Sequence, residues 1–412
     1  MTCSLRSGIE RTLIYPSTNE NLPDERITCD FLIKFHAAYD LPKMDIVGRA
    51  DPYFRAKIDD GRIKYVSACV VNTSNPVWNE EWIVRKVPSN GKLSVEVCDK
   101  DDKGIYDDYI GKIQIDLKPI ENKEIPILGP LNTIQGRFKL SIILLENSPD
   151  TVNLRPYTFD GPVRYARHHS LSVGHLTKIN DERLYFTWEI YLKRIDTYFD
   201  KNNKQKWNSS YQAAKSIFEG PMSQVMQSMI KKAHRVLYAK TTTNEFGLLN
   251  SHEDFWKLLI NRNTNKIKPC VYTYIIEDHT WRFSETGASF FVDFVSKHAL
   301  HANCEQTVVY AGEFHPRPIG GWNQYNPNEI LSWNQWELVI DNGSGTYAPD
   351  LRLLNELKDL LVFNFPNLNV ITYDFNDPQL KSSIKACRDF AKSPKAQSIE
   401  TIKLLLPSPL LH

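Results

Sequence analysis

The sequence predicts a multidomain chain in which an all-β antiparallel sandwich precedes a helical segment and a C-terminal α/β domain with a mostly parallel sheet. Three observations predict this order. Residues 28–147 contain short β-type runs separated by turns, and residues 181–265 contain apolar residues at three- and four-residue intervals. Residues 266–412 alternate strand-like and helix-like segments. A length of 412 residues also exceeds what one compact core usually holds.

The predicted sandwich consists of short strands typical of two packed antiparallel sheets. Turn clusters such as Asp59-Asp60-Gly61 and Pro88-Ser89-Asn90-Gly91 separate them. The strands are predicted at residues 31–37, 53–58, 65–71, 81–87, 93–98, 112–117 and 137–145. Residues 1–27 are polar and broken by prolines, which predicts an N-terminal arm.

A transition segment, residues 148–180, separates the sandwich from the predicted helices at 182–199, 211–218 and 221–238. In the last domain, strands are predicted at 271–276, 307–311, 337–340 and 369–373, with helices at 288–300, 350–363 and 379–390. Because strand and helix alternate, we expect a mostly parallel sheet. One single domain over residues 181–412 is the alternative.

Composition excludes several classes of protein. The formal net charge is +1, so no global field attracts nucleic acid, and no nucleic-acid partner is expected. The seven cysteines form no CxxC pair, which favours reduced thiols in a cytoplasmic protein. The N-terminus lacks a signal-peptide core, Thr2 replaces the glycine needed for myristoylation, and no apolar run reaches the length of a membrane span. Membrane contact is therefore expected to be peripheral and reversible.

Aspartates cluster in two predicted loops of the sandwich. The first loop contains Asp45 and Asp51, and the second contains Asp99, Asp101, Asp102, Asp107 and Asp108. Ca²⁺ takes about six to eight oxygen ligands, and five of these carboxylates would supply most of them: Asp45, Asp51, Asp99, Asp101 and Asp108. Without a cation such a cluster would repel itself. The pattern predicts a Ca²⁺ site, the alternative being ordinary turn aspartates, which we favour for Asp102 alone.

Three motifs in this region resemble the signature segments of C2 domains. They are Asp45…Gly48-Arg49-Ala50-Asp51-Pro52-Tyr53, Asn75-Pro76-Val77-Trp78-Asn79-Glu80 and Asp99-Lys100-Asp101…Asp108-Tyr109-Ile110-Gly111. The resemblance covers about residues 28–146 and implies an eight-stranded sandwich whose loops bind Ca²⁺ and dock on phospholipid. It implies Asp45, Asp51, Asp99, Asp101 and Asp108 as ligands. The stretch from Asp99 to Asp108 is one residue longer than usual, so Asp107 is an alternative to Asp108.

Two further sets of residues suit a membrane surface. Met44, Ile46, Val47, Ile105 and Tyr106 flank the aspartates, where apolar side chains would insert shallowly into a bilayer. Arg55, Lys57, Arg62 and Lys64 would form a basic face for lipid headgroups. Loop packing and a solvated sheet face are the respective alternatives. The segment 75–80 is interpreted as structural, because Pro76 fixes a strand entry and Trp78 buries an aromatic ring.

Polar residues also follow the predicted strands of the α/β domain, where open sheets bind ligands. They are Arg282, Ser284, Glu285, Glu313, His315, Arg317, Asp341 and Ser344. Together they predict a pocket for an anionic ligand, with glycine-rich turns and helix caps as the alternative. His298 and His301 lie at the C-terminal end of a predicted helix, where the helix dipole or packing explains them without a metal.

The whole chain resembles a group of uncharacterised fungal C2-domain proteins through segments 280–287, 296–300 and 340–349, which implies no mechanism. Our hypothesis is Ca²⁺-dependent binding to anionic phospholipid membranes, which recruits the C-terminal region. The alternatives are a membrane-recruited enzyme acting on a phosphorylated or lipid substrate, and a Ca²⁺-independent adaptor that binds proteins. An unidentified protein or a phosphorylated ligand is the expected partner of the C-terminal region. The enzyme requires the polar residues to surround one pocket.

Overall fold

Two large sheets organise the protein. The structure, a computed structural model, describes residues 28–44, 50–100, 107–146, 148–170, 185–235, 237–238, 245–261, 264–286, 296–393 and 396. One sheet has nine strands and belongs to the N-terminal sandwich, and the other has eight and belongs to the part we call the C-terminal body. No helix in these ranges is long and apolar enough to cross a membrane.

The sandwich is antiparallel, as predicted. Its strands are β1 (Thr28–Tyr39), β2 (Pro52–Ile58), β3 (Ile63–Val66), β4 (Val77–Pro88), β5 (Lys92–Asp99), β6 (Asp108–Asp116), β7 (Ile120–Leu128), β8 (Ile134–Leu145) and β9 (Thr158–Phe159). They follow the order β3-β2-β5-β6-β7-β8-β1-β4-β9. Along β1, Phe31, Ile33 and Phe35 are buried at every second position, so one face of the strand covers the core.

Aromatic rings fill the core of the sandwich. The ring of Phe54 lies 4.6 Å from Phe35 and 4.9 Å from Trp78, the second pair edge to face. Phe138 packs edge to face against Phe54 at 5.4 Å. Such tilted and edge-to-face pairs stabilise a core beyond the area they bury. They join β1, β2, β4 and β8 into one unit.

The C-terminal body contains the remaining strands and the helices. The strands are β10 (Arg164–Ser170), β11 (Tyr185–Tyr191), β12 (Gln205–Lys206), β13 (Glu245–Leu248), β14 (Ile260–Asn261), β15 (Lys266–Ile267), β16 (Tyr272–Glu277), β17 (Thr280–Glu285), β18 (Thr307–Val308), β19 (Tyr310–Pro318), β20 (Trp336–Asp341) and β21 (Val370–Tyr373). The helices are α1 (Ile195–Tyr198), α2 (Gln212–Phe218), α3 (Ser223–Arg235), α4 (His252–Leu258), α5 (Lys297–His301), α6 (Leu354–Asn364) and α7 (Pro378–Lys392). The large sheet has the order β13-β10-β11-β17-β16-β19-β20-β21.

The prediction of a mostly parallel sheet is wrong. Within the described strands of this sheet, every pair is antiparallel except β20 with β21. Only Asp278 and His279 connect β16 to β17, and a two-residue turn can join antiparallel strands only. Between β20 and β21 the chain passes through α6, which is the kind of crossover that a parallel pair needs.

Two segments predicted as linker and helix instead form strands. Residues 148–180 include β9, which pairs with β4, and β10, which joins the large sheet. Residues 185–191, within the predicted helical segment, form β11 in the interior of that sheet. The aromatic and β-branched residues of Tyr185–Tyr191 suit a strand that is covered on both faces and therefore shows no clean alternation. Helices α2 and α3 lie where the apolar periodicity predicts helices.

The sandwich and the body meet across a buried junction. The guanidinium of Arg164 lies 3.9 Å from the ring of Tyr65 in the sandwich and 3.9 Å from that of Tyr191 in the body. Arg85 of β4 bonds Asp160, which also bonds Arg194 of the body. Stacking and ion pairing therefore connect the two sheets.

Candidate functional site

The two aspartate-bearing segments meet at one end of the sandwich. The backbone N–H of Asp51 donates to Oδ1 of Asp99 at 2.6 Å, and the N–H of Lys100 donates to the carbonyl of Asp51 at 3.0 Å. Asp99 and Asp108 are partners in the antiparallel β5–β6 ladder. Opposed residues of an antiparallel pair project from the same face of the sheet. The structure therefore brings Asp51, Asp99 and Asp108 to the same end of the sandwich.

Asp107 has a different environment from Asp108. Its Oδ2 accepts from the hydroxyl of Tyr53 at 2.7 Å and lies 3.3 Å from Nη2 of Arg55. Burial and the bond to Asp107 raise the pKa of Tyr53 far above its ordinary value, so its hydroxyl remains a donor. Asp108 is exposed at the start of β6. The adjacent carboxylates thus differ in partners and in solvent exposure.

Side chains of the segment 75–80, which the sequence predicts to be structural, hold the loop between β3 and β4. Glu80 accepts from the hydroxyl of Tyr65 at 2.6 Å and from the N–H of Ala68 at 2.8 Å. The indole N–H of Trp78 donates to the carbonyl of Ala68 at 3.0 Å. Asn75 accepts from the N–H of Asp40 at 2.9 Å. These bonds hold this loop against the start of the first aspartate segment.

Several predicted site residues lie outside the described part of the chain. These are the metal candidates Asp45 and Asp101 and the membrane-contact candidates Ile46, Val47, Ile105 and Tyr106. Met44 is described, and it is half-buried against the sandwich core. Among the described residues no group of three His, Cys, Asp or Glu side chains could hold a metal ion. Asp51, Asp99 and Asp108 offer only carboxylate oxygens, which are the ligands of a hard cation such as Ca²⁺.

The predicted basic face is partly neutralised. Arg55 pairs with Asp107, and Nζ of Lys57 lies 3.5 Å from Glu96. Lys64 is opposite Lys57 in the β2–β3 ladder and is exposed. The guanidinium of Arg62 lies 5.4 Å from the ring centre of Tyr157. The face therefore carries less net positive charge than its sequence indicates.

The polar residues predicted to form one pocket in the body bond to several different partners. Arg282 bonds Glu189, and Ser284 bonds the buried ring of His301 at 2.7 Å. The ammonium of Lys268 lies 2.5 Å from Glu285, and Ser344 caps the N–H of Tyr347 at 3.1 Å. His315 bonds Ser383 at 2.8 Å, beside Arg317, which pairs with Glu337. The backbone N–H of Glu313 donates to Oδ1 of Asp341. The enzyme hypothesis, which requires these residues to surround one pocket, stays a prediction.

Asp341 is the most perturbed acid in this set. Burial, together with the nearby charge of Glu313, raises the pKa of Asp341 to about 7. Backbone N–H groups of Gly343 and Glu313 donate to its Oδ1 at 2.7 and 3.0 Å, which opposes that rise. The effect of desolvation on the pKa is larger than the opposing effect of these two bonds. The carboxyl therefore holds its proton over a wide pH range. Its bonds fix the start of the segment after β20, a structural role.

The sequence analysis missed a cavity at the junction. A space of about 220 Å³ lies between the sandwich and the body, and both contribute charged and aromatic side chains to its wall. They include Tyr53, Arg55, Lys100, Asp107, Arg164, His168, Glu189, Tyr191 and Tyr238. Behind this wall, the hydroxyl of Tyr238 bonds Nδ1 of His301 at 2.6 Å. These residues are distant in sequence, and no local motif connects them.

Comparison with known proteins agrees with the fold of the sandwich. Residues 29–127 match the family model of the C2 domain. The E3 ubiquitin-protein ligase NEDD4 of Mus musculus is 28% identical over 181 residues, which is 43% of this chain and 16% of that protein. The Multiple C2 domain and transmembrane region protein 8 of Arabidopsis thaliana is 36% identical over 97 residues, which is 23% of this chain and 9% of that protein. The chain thus spans less than a fifth of the length of either relative.

Two solved structures of C2 domains are also similar to part of the chain. The first C2 domain of plant Extended Synaptotagmin 1 has 20% identity over 30% of this chain and 99% of that one, at a TM-score of 0.27. The two calcium-bound C2 domains of Extended-Synaptotagmin 2 have 19% identity over 35% of this chain and 58% of that one, at a TM-score of 0.26. The match of residues 29–127 to the family model coincides with the antiparallel sandwich. Residues 29–127 therefore form a C2 domain.

Proposed function

We propose that the C2 domain binds anionic phospholipid membranes and that Ca²⁺, held at the aspartate end of the sandwich, switches this binding on. The observation that carries the proposal is the placement of Asp99 opposite Asp108 in the β5–β6 ladder, with Asp51 bonded to Asp99. Asp45 and Asp101, which the sequence assigns to the same loops, would complete the ligand set.

The bonding pattern at this end suits a cation site. Oδ1 of Asp51 accepts the N–H of Asn72 at 2.6 Å, and Oδ1 of Asp99 accepts the N–H of Asp51 at 2.6 Å. These bonds orient both carboxylates. A carboxylate has about four lone-pair sites, so one backbone bond leaves capacity for a metal. Carboxylates gathered at one loop end also repel each other, and a divalent cation relieves that repulsion.

Asp108 rather than Asp107 is the ligand we propose from this strand. Asp107 already has Arg55 as its counter-ion and accepts from Tyr53. Asp108 faces Asp99, and it is exposed, so it is accessible to an ion from solvent. Successive residues of a strand point to opposite faces, so both cannot turn toward the same ion without a change in the backbone.

Bound Ca²⁺ would supply the positive charge that makes this end attractive to anionic headgroups. The protein's own net charge of +1 supplies no strong attraction of its own. The binding would therefore depend on the ion and would reverse when Ca²⁺ is removed. The C-terminal body would follow the C2 domain to the membrane, since the two are joined at the junction.

Sedimentation with phosphatidylserine vesicles, in Ca²⁺ or in chelator, tests the proposal. The wild type should sediment only with Ca²⁺, and Asp99→Asn/Asp108→Asn should lose at least about tenfold in affinity, because each lost carboxylate weakens Ca²⁺ binding. Asp60→Asn/Asp116→Asn removes the same charge from sites outside the aspartate end and should behave as the wild type. The thermal midpoint of the wild type should also rise with Ca²⁺ alone and that of the Asp99/Asp108 variant should not.

Two results would contradict the proposal. Vesicle binding that is equal in Ca²⁺ and in chelator would overturn the calcium switch and favour the basic face formed by Arg55, Lys57, Arg62 and Lys64. An absence of vesicle binding in both conditions, with no thermal shift in Ca²⁺, would overturn the membrane proposal itself. That outcome would favour the Ca²⁺-independent adaptor.

A further inference from the structure

The turn between β7 and β8, residues 129–133, lies next to the aspartate end of the C2 domain. A Cβ on Gly129 would come within 2.9 Å of the carbonyl oxygen of Ile110, which is two residues after Asp108. The N–H of Gly129 donates to the carbonyl of Thr133 at 2.8 Å and closes the turn. The turn is therefore in van der Waals contact with the beginning of β6.

The other side of this turn contacts the first aspartate segment. A Cβ on Gly136 would come within 2.5 Å of the carbonyl oxygen of Tyr39, and the side chain of Arg137 bonds Asp40 at 2.7 Å. Asp40 in turn bonds Asn75, and the same loop bonds Asp51 through the N–H of Asn72. Residues 40–44, 50–51 and 67–76, the start of β6 and this turn thus lie at one end of the domain.

Apolar side chains project into solvent from this turn. Leu131 is 97% exposed and Ile134 is 69% exposed, and Leu128 at the end of β7 is also exposed. Lys112, opposite Leu128 in the β6–β7 ladder, is an exposed cation beside them. A single exposed leucine is ordinary on a protein surface. Three apolar residues within seven positions at one loop end, next to a cation, are typical of an interaction surface.

Leu131 also occupies an unfavourable backbone conformation. Its φ is 56° and its ψ is 24°, in the left-handed region that glycine or asparagine usually occupies. This conformation is unfavourable for a leucine, because it brings Cβ close to the following carbonyl oxygen. Its side chain gains nothing from packing in return, because it is almost fully exposed. Backbone strain of this kind at an exposed position indicates that the side chain functions when a partner covers it.

We propose that Leu131 and Ile134 insert into the hydrocarbon edge of an anionic phospholipid bilayer when the aspartate end docks on it. This inference rests on the proposed function and adds a contact from a turn outside the two aspartate loops. The partner is a lipid surface because the side chains are on a convex turn, and fluid hydrocarbon accepts such a tip without a complementary pocket. Lys112, and Lys43 in the first aspartate segment, are exposed cations that would meet the headgroups.

Phosphatidylserine vesicles at saturating Ca²⁺ provide the test. Leu131→Ser/Ile134→Ser should bind about tenfold more weakly than the wild type, since two apolar side chains no longer leave water. Its thermal shift in Ca²⁺ alone should equal that of the wild type, because no aspartate is altered. The matched control is Ile330→Ser/Ile319→Ser, which removes side chains that are 98% and 58% exposed in the body, and it should bind as the wild type does.

A second variant tests insertion in the positive direction. Leu131→Trp should bind at least as tightly as the wild type and should be quenched by brominated lipids more strongly than the wild type is. Serine variants that bind with wild-type affinity in Ca²⁺ would overturn this inference while leaving the calcium switch intact. If the wild type does not bind vesicles at all, the proposed function fails first. A wild type that dimerises without vesicles, and a serine variant that does not, would replace the lipid surface with a second copy of the chain.

Discussion

The ion network around Arg85 gives a prediction about how the C2 domain and the body stabilise each other. Nε of Arg85 donates to Asp160 at 2.7 Å, and its Nη1 donates to Asp30 at 3.2 Å. The arginine side chain is 15% exposed, and both aspartates are buried. We expect Arg85→Met to destabilise the protein, because it leaves two buried carboxylates without the cation they share.

The expected loss follows from the partners that remain. Removing one partner of a buried ion pair typically costs about 3–5 kcal/mol in the free energy of unfolding. Asp160 keeps Arg194, whose Nε lies 2.5 Å from its Oδ1, and Asp30 keeps the backbone N–H of Lys86 at 2.9 Å. These remaining bonds place the expected loss at the lower end, at about 3 kcal/mol.

Urea unfolding measures this loss against a matched control. Arg137→Met removes an arginine that also joins two carboxylates, Asp40 at 2.7 Å and Glu124 at 2.8 Å. Arg137 is 50% exposed, so its loss should cost much less than the loss of Arg85. The denaturant slope should remain unchanged, because only the interaction is altered. Equal losses in the two variants would refute the argument that burial decides the value of these pairs.

Two further predictions concern the body. Asp341→Asn keeps an oxygen for both backbone N–H donors but removes a carboxyl whose pKa is raised from 3.8 to about 7. Because the folded state holds that proton longer than the unfolded state, wild-type stability falls as pH rises from about 4 to 7, and the variant's advantage should grow by up to about 4 kcal/mol over that range. Equal differences in unfolding free energy at pH 5 and pH 8 would contradict this. Gly312→Ala should cost several kcal/mol, because its Cβ would lie 2.0 Å from the carbonyl of Asp341, whereas Gly220→Ala, with open space but positive φ, should cost only about 1 kcal/mol by urea unfolding.

The sandwich can be predicted from sequence because its signals are local. Alternating apolar residues such as Phe31, Ile33 and Phe35 specify a strand with one buried face, and turn clusters separate the strands. The arrangement of the body depends on which strands meet, and that is not a local property. From sequence, the turn at Asp278 and His279 resembles a strand end followed by a ligand-binding segment. Trp281 and Phe283 alternate with polar residues immediately after this turn, and this alternation is the sequence signal that indicates a hairpin.

The aspartate end is predictable in part. The motifs place Asp51, Asp99 and Asp108 in loops, and the structure places these three at one end of the sandwich. Which of Asp107 and Asp108 lies opposite Asp99 does not follow from spacing, since it depends on the pairing of β5 with β6. Leu131 escapes sequence analysis for a related reason. The sequence does not distinguish a turn leucine that is exposed from one that is packed, because its exposure is set by the tertiary structure.

The junction determines what membrane docking would do to the rest of the chain. Domains joined by an exposed linker reorient freely, and the sequence predicts such a linker at residues 148–180. Instead, Arg164 is stacked between Tyr65 of the C2 domain and Tyr191 of the body, and Asp160 bonds arginines from both. Separating these parts would expose Arg164 and leave Asp160 bonded from one side only. A C2 domain docked through its aspartate end would therefore fix the orientation of the body relative to the lipid surface, and the body would present the same face to the membrane each time.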